Sequence, residues 1–158
     1  MQSPLDALAG VKNPAQPLPN LLSGGQPGPA HFAALRDAGL EVVLDIRDPM
    51  EPRPFNEPEL VRSLGMQYIN VPVTEATISD ATLEQLLTLL RENESRPTLL
   101  HCASGNRVWG PIISHLVLDH RVGDEEATTI ALRGGLRGAE ILEWGLDYAR
   151  RKRETEGK

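Results

Sequence analysis

Apolar residues in this chain fall in short continuous runs, separated by longer stretches in which they recur every three to four positions. LPNLLSGGQP (18–27) predicts a short strand ending in a glycine turn. Pro29 then suits the first position of a helix, with Phe32, Leu35 and Ala38 on one face and Gly39 as its stop. EVVLDI (41–46) is a β-branched run of the kind that forms a buried parallel strand. MQYINVPV (66–73) predicts a third strand, weakened beyond Pro72. Ser79 and Asp80 can cap a helix in which Leu83, Leu86, Leu87 and Leu90 keep the i, i+3, i+4, i+7 spacing. Pro97 resets the chain, and TLLH (98–101) makes a fourth strand. Three helical patterns follow, at about 108–120, 124–135 and 139–152. Strands alternating with helices, followed by a helical C-terminal third, predict one α/β domain with a short, mostly parallel sheet flanked by helices.

Proline sharpens the boundaries. Six of the 13 prolines precede residue 30, so residues 1–16 read as a mobile arm, 17–152 as the domain and 153–158 as a disordered tail. DPMEPRPFNEP (48–58) reads as a rigid, solvated surface loop. The basic run ARRKR (149–153) reads as a solvated helix end that complements the helix dipole. Charge then narrows the partners. Sixteen basic against 22 acidic side chains leave a net charge of -6, which argues against nucleic acid or an anionic membrane as the main partner. No apolar run has the length of a membrane span, and the N-terminus lacks the basic leader and apolar core of a signal peptide. A cytoplasmic protein is expected, in keeping with the one cysteine, Cys102, which must stay reduced.

That single cysteine excludes an internal disulfide framework, a CxxC redox pair and a multi-cysteine zinc site. Its surroundings give it a role. An apolar strand delivers His101 and Cys102, and the chain then turns through Ala103, Ser104, Gly105 and Asn106 to Arg107 at a helix start. Such a turn points successive backbone N–H groups inward and adds the positive end of a helix dipole. The resulting cup holds an anion, so Cys102 is expected as an activated thiolate nucleophile. Arg107 offers a planar fork for two oxygens of a tetrahedral oxyanion. His101 is placed to act from behind, by hydrogen-bonding around the thiolate. His115 and His120 lie on or just past a helix with no third ligand in view, and read as ordinary side chains; no metal and no cofactor is expected.

HCASGNRV resembles the phosphate-binding loop of cysteine-dependent phosphatases. More specifically, the chain resembles a small bacterial family, the phosphatase-like domain of the beta-lactamase hydrolase-like protein, related in fold to dual-specificity phosphatases. The resemblance runs from about Leu18 to Leu146 and includes LLSGGQP, GLEVVLDIRDPMEP, LGMQYINVPV, the loop and DEEATTIALRGGLRG. It implies a dual-specificity-phosphatase-like fold and metal-independent hydrolysis of a phosphorylated protein or small phosphomonoester. Cys102 would form a cysteinyl-phosphate, with Arg107 and the amides of Ala103 to Arg107 around the equatorial oxygens. His101, Ala103, Ser104, Gly105, Asn106 and Val108 would complete the binding loop. The resemblance also implies a carboxylic acid on the loop after YINVPV, which makes Glu75 the first candidate and Asp48, at the end of VVLDIRD, the second.

Two departures keep other chemistries open. Four residues separate Cys102 from Arg107, one fewer than in the usual phosphatase loop, and Val108 stands where phosphatases commonly place Ser or Thr. The short spacing is similar to single-domain rhodaneses, as is the strand ending in Asp-x-Arg before an acidic loop. A sulfurtransferase carrying a Cys102 persulfide is therefore one alternative. About 50 mostly helical residues after the loop suit the phosphatase topology better. A weakly active module that binds phosphorylated or other oxyanion ligands is the other alternative.

Overall fold

The computed structural model describes residues 2–156. Five short strands, β1 (Ala15–Leu18), β2 (Leu21–Gly24), β3 (Val42–Asp45), β4 (Gln67–Asn70) and β5 (Thr98–His101), form one sheet in the order β1-β2-β5-β3-β4. Only the β1–β2 edge is antiparallel; β5 pairs in parallel with both β2 and β3, and β3 with β4. Helices α1 (Pro29–Asp37), α2 (Glu57–Ser63), α3 (Asp80–Glu92), α4 (Trp109–Asp119), α5 (Asp124–Gly134) and α6 (Ala139–Glu156) complete it.

The central strands are buried at every position because both faces are covered. Alternation sorts their side chains. Leu21, Val42, Leu44 and Leu100 join one cluster with the apolar stripe of α3 and residues of α4, α5 and α6. Leu22, Val43 and Leu99 join the other, with Phe32 and Leu35 of α1 and Val61 of α2. α4 is the innermost helix, buried from Trp109 through Val117, as a helix apolar all round must be. It can approach α6 closely because Gly110 and Gly145 face each other: a Cβ on Gly145 would lie 2.5 Å from the Gly110 carbonyl.

The predicted strands and helices are present, with four departures. The N-terminal segment is packed rather than mobile: Ala7, Leu8 and Val11 are buried in the cluster around Phe32, Leu8 within a 3-10 turn at Asp6–Leu8. Three apolar side chains at helical spacing suffice to hold it, a pattern too short to stand out in sequence. The sheet begins at Ala15, because Pro17 is tolerated on an edge strand. At the other end, residues 153–156 continue α6, while 157 and 158 lie outside the described residues. The basic run is also more than a solvated end. Arg150 and Arg153 pair with Asp124 of α5, Arg151 with Asp80 of α3, and Lys152 with Glu84.

The fourth departure matters most for function. Within the proline-rich stretch, Asn56 accepts a hydrogen bond from the Glu59 amide at 3.3 Å and starts α2, with Pro58 in the first turn. Glu57, expected on a solvated loop, has no exposure at all.

Candidate active site

β5 ends at His101, and Cys102 follows at the carboxyl edge of the sheet, where open α/β sheets place their ligands. The loop is stitched to the end of β2. Cys102 N–H donates to the Gly24 carbonyl at 3.2 Å, Gln26 N–H to Ala103 at 3.0 Å, and Gly25 bridges Ser104. Asn13 Nδ2 donates to the Ser104 carbonyl at 2.7 Å, and Asn106 Oδ1 accepts from the Arg137 amide at 2.9 Å. The loop is therefore held from the N-terminal segment and from the α5–α6 turn together.

Gly105 has φ +88°, and this left-handed conformation turns its N–H onto Cys102 Sγ at 3.2 Å. A Cβ there would sit 3.0 Å from Asn13 Cβ and 3.3 Å from the Gly25 nitrogen. Gly105→Ala should cost about 1–2 kcal/mol from backbone strain alone. Any turnover should also fall on the order of 10²-fold, because a loop that relaxes this strain turns the N–H donor of residue 105 away from Sγ. Thermal melts and initial rates check both, and an unchanged rate would exclude the amide cup from the chemistry.

Cys102 itself is fully buried. α4 starts behind it at Val108 with no side chain capping its first amides. Arg107 projects across the loop. Its Nη1 and Nη2 bind Glu51 Oε2 and Oε1, each at 2.9 Å, and Nη1 also donates to the Val73 carbonyl at 3.0 Å. Glu51 thus occupies the Nη1–Nη2 end of the guanidinium, and Arg107 also lies within hydrogen-bond reach of Cys102. The bidentate Arg107 contact is the main reason the Glu51 carboxyl is lowered to about 2; burial opposes it, and the Asp48 amide and Arg47 reinforce it. Arg107 is held upward, first by Glu51 and then, against burial, by the charge of Cys102.

Behind the loop, His101 Nε2 meets Glu57 Oε2 at 2.6 Å, both side chains without exposure, and Nδ1 donates to the Cys102 carbonyl at 3.2 Å. Burial pushes the His101 imidazole down, but the Glu57 hydrogen bond and charge, with Asp45, outweigh it and raise it. Burial likewise pushes Glu57 up, and His101, Gln26 and Arg53 lower it on balance. The two form an ion pair. Gln26 links Glu57 Oε1 to Arg47, and Arg47 Nε reaches Glu51 at 3.3 Å. A closed circuit therefore runs from His101 through Glu57, Gln26, Arg47 and Glu51 to Arg107, anchoring both ends of the cysteine loop to the β3–α2 connection. Asp45, buried beneath it, pairs with Arg53 at 2.6 Å and accepts from Tyr68 and the Arg47 amide. Arg47, Arg53, Arg107 and protonated His101 face Asp45, Glu51 and Glu57, so an acidic protein makes a locally cationic cup.

Of the residues singled out from sequence, His101 to Val108 come together as one loop. Glu75 lies exposed in a 3-10 turn, Glu75–Thr77, two residues past the Val73 carbonyl that Arg107 holds. Asp48 turns its loop: Oδ1 accepts from the Met50 amide at 2.9 Å, and its own N–H donates to Glu51 Oε2 at 2.7 Å. Glu51, Glu57, Gln26, Arg53 and Asn13 were not legible as site residues. For Glu57 the Asn-Glu-Pro helix start was the available signal; for the others, no spacing rule links them to the cysteine.

A buried cysteine in an amide loop, followed by an arginine at a helix start on a parallel sheet, is the arrangement of a phosphatase-like domain of the cysteine-dependent class. Residues 13–116 match the family described as DSP-PTPase phosphatase fused to NAD+ kinase, and the chain belongs to that family. The beta-lactamase hydrolase-like protein of Agrobacterium fabrum is 28% identical over 106 residues, 65% of this chain and 24% of that protein, so the chain spans about a quarter of this relative. Among solved structures, a DUF442 protein from Shewanella putrefaciens CN-32 superposes with a TM-score of 0.74 at 21% identity, covering 93% of this chain and 97% of the other. P. aeruginosa TpbA, crystallised with phosphotyrosine, does so with a TM-score of 0.66 at 16% identity, covering 87% of this chain and 90% of the other. These likenesses establish the fold. No helix among the described residues is long and apolar enough to cross a membrane.

Proposed function

We propose that this domain hydrolyses a phosphomonoester without a metal, through a cysteinyl-phosphate on Cys102. The observation that carries the reading is the cup itself. One loop amide already donates to Sγ, and Arg107, its Nη1–Nη2 end held by Glu51, also lies against Cys102. In the first step Sγ attacks phosphorus and the ester P–O bond breaks. The leaving oxygen takes its proton from a carboxylic acid. Loop amides and Arg107 hold the three equatorial oxygens through the transition state. Water then attacks phosphorus, giving a proton back to that carboxylate, the S–P bond breaks, and orthophosphate leaves with the thiolate restored. Val108, buried where a hydroxyl would assist the leaving thiolate, favours slow breakdown of the phospho-enzyme.

Glu75 is the proposed acid, on the loop that shares Val73 with Arg107, and Asp48 the alternative. An acid must be protonated to act, so it governs the limb on which rate falls as pH rises. Glu75→Gln should flatten that limb and lower kcat/KM on an unactivated phosphate ester by on the order of 10²-fold, with a smaller loss on an activated aryl phosphate. An unchanged profile moves the role to Asp48.

The substrate class is a phosphorylated protein or small phosphomonoester in the cytoplasm, in keeping with the phosphotyrosine bound to TpbA. The spacing of Cys102 and Arg107 supports a second reading, sulfur transfer through a Cys102 persulfide. Release of phosphate from an aryl phosphate, set beside thiocyanate formation from thiosulfate and cyanide, separates the two. Thiocyanate without phosphate release would replace the phosphatase reading. Silence in both assays with retained vanadate binding would leave an oxyanion-binding module.

A further inference from the structure

At the opposite end of the sheet from Cys102, where β2 and β5 begin, lies a cavity of about 220 Å³. Leu18, Leu21 and Leu90 form its apolar wall, and Glu94, His115 and His120 face it from the other side. These three come from separate places: Glu94 from the connection after α3, His115 from within α4, and His120 from just past its end. One ligand atom from each lies within 4.8 Å of the other two. The third ligand missing from the sequence pattern is thus supplied by tertiary structure.

The details are those of a donor set. His115 is 2% exposed, and its Nδ1 lies 2.7 Å from Asp119 Oδ2. A carboxylate can only accept, so Nδ1 carries the hydrogen and Nε2 keeps a lone pair. This carboxylate–histidine arrangement is how metal-binding imidazoles are oriented. The His120 ring packs edge-on against His115, with centroids 4.9 Å apart. Its buried Nε2 makes no hydrogen bond, yet Glu94 Oε1 lies 2.5 Å away, an ion pair when the ring is protonated and a close approach of two lone pairs when it is neutral. A buried nitrogen pressed against a carboxylate oxygen without a hydrogen bond is a contact that a shared cation relieves. In a tetrahedral site with bonds near 2.1 Å, ligand atoms lie roughly 3.3 Å apart, so small shifts of these side chains suffice.

We propose that Glu94, His115 and His120 bind one divalent transition ion of the zinc type, with Asp119 orienting His115. Two imidazoles and one carboxylate suit zinc, nickel or cobalt, and supply too few oxygens for calcium or magnesium. The ion would tie the chain after α3 to the end of α4. It takes no part in chemistry at Cys102, because β5 runs from the cavity at Thr98 to His101 under the cup. Its effect is on stability.

The test uses tag-free protein in two forms, wild type and Cys102→Ser, because a thiolate can also take up zinc. Calorimetric titration with Zn2+ should give one ion per chain in both forms, and Co2+ should produce the visible absorption of a four-coordinate site. At a hundredfold excess over Kd, Tm should rise by roughly 5–10 °C and return on chelation. His120→Gln and Glu94→Gln, at partly exposed positions, should weaken binding at least tenfold, and Asp119→Asn by about 10–100-fold. No saturable binding overturns the proposal. So does binding that survives His120→Gln but is lost in Cys102→Ser, which would place the ion in the cup.

Discussion

Cys102→Ser should abolish phosphate release from an aryl phosphate, by at least about 10³-fold, while leaving the fold and oxyanion binding intact. The exchange is nearly isosteric. The buried hydroxyl inherits the Gly105 N–H that now donates to Sγ, and Arg107 stays fixed by Glu51 and Val73. What is lost is nucleophilicity: a serine hydroxyl is essentially un-ionised at neutral pH, and no base lies against it in the circuit described. Initial rates, near-ultraviolet circular dichroism and vanadate titration measure the three expectations separately. In the wild type, acid quench during turnover should trap a phosphate adduct on Cys102 by mass spectrometry, because Val108 offers no hydroxyl to speed its breakdown. Phosphate release that persists in Cys102→Ser would sink the covalent mechanism.

The second large effect is expected at Glu57, which touches no substrate but holds His101 behind the cup. Glu57→Ala leaves a buried imidazolium without its partner, and should cost about 3–5 kcal/mol, read by chemical denaturation. Glu57→Gln keeps the hydrogen-bonding shape and loses the charge, which isolates the electrostatic part. The sign follows from the two directions. His101 is raised, so its contribution is complete below its ordinary 6.5 and is lost as pH rises through the higher folded value. Glu57 is lowered, so its contribution is complete above its ordinary 4.5 and is lost as pH falls through the lower folded value. The pair therefore supports the fold best between about 4.5 and 6.5. In Glu57→Gln the alkaline loss should shrink, because the largest influence raising His101 is gone and only Asp45 and the Cys102 carbonyl still oppose burial. A positioning role further requires the pH–rate profile of the variant to change shape. A uniform loss of active protein would scale the profile and leave its shape.

Local chemistry made much of this molecule readable. The Leu83 to Leu90 stripe, the β-branched run at 41–46 and the Gly39 stop each act within a few residues, and each predicted its element. The cysteine loop was readable for the same reason: His101 to Arg107 are neighbours in the chain, and the amides that form the cup belong to them. The circuit around it was not. Glu51, Glu57 and Arg47 lie 45 to 55 residues before the cysteine. Proline-rich neighbours disguised them as a solvated loop, and only the parallel pairing of β3 with β5 brings that loop beside the cup.

The same division applies at the far end of the sheet and to the charge. The sequence by itself determined an α/β domain, its order of elements and one cysteine in an anion-binding turn, because these follow from periodicity and adjacent residues. Tertiary structure alone decided that Glu94 meets His115 and His120, and that Glu51 and Glu57 orient Arg107 and His101. Those contacts depend on which strands pair and how closely α4 can pack. They also explain how a chain of net charge -6 builds a cationic site: the cations are gathered in space, from positions that in sequence lie scattered among carboxylates.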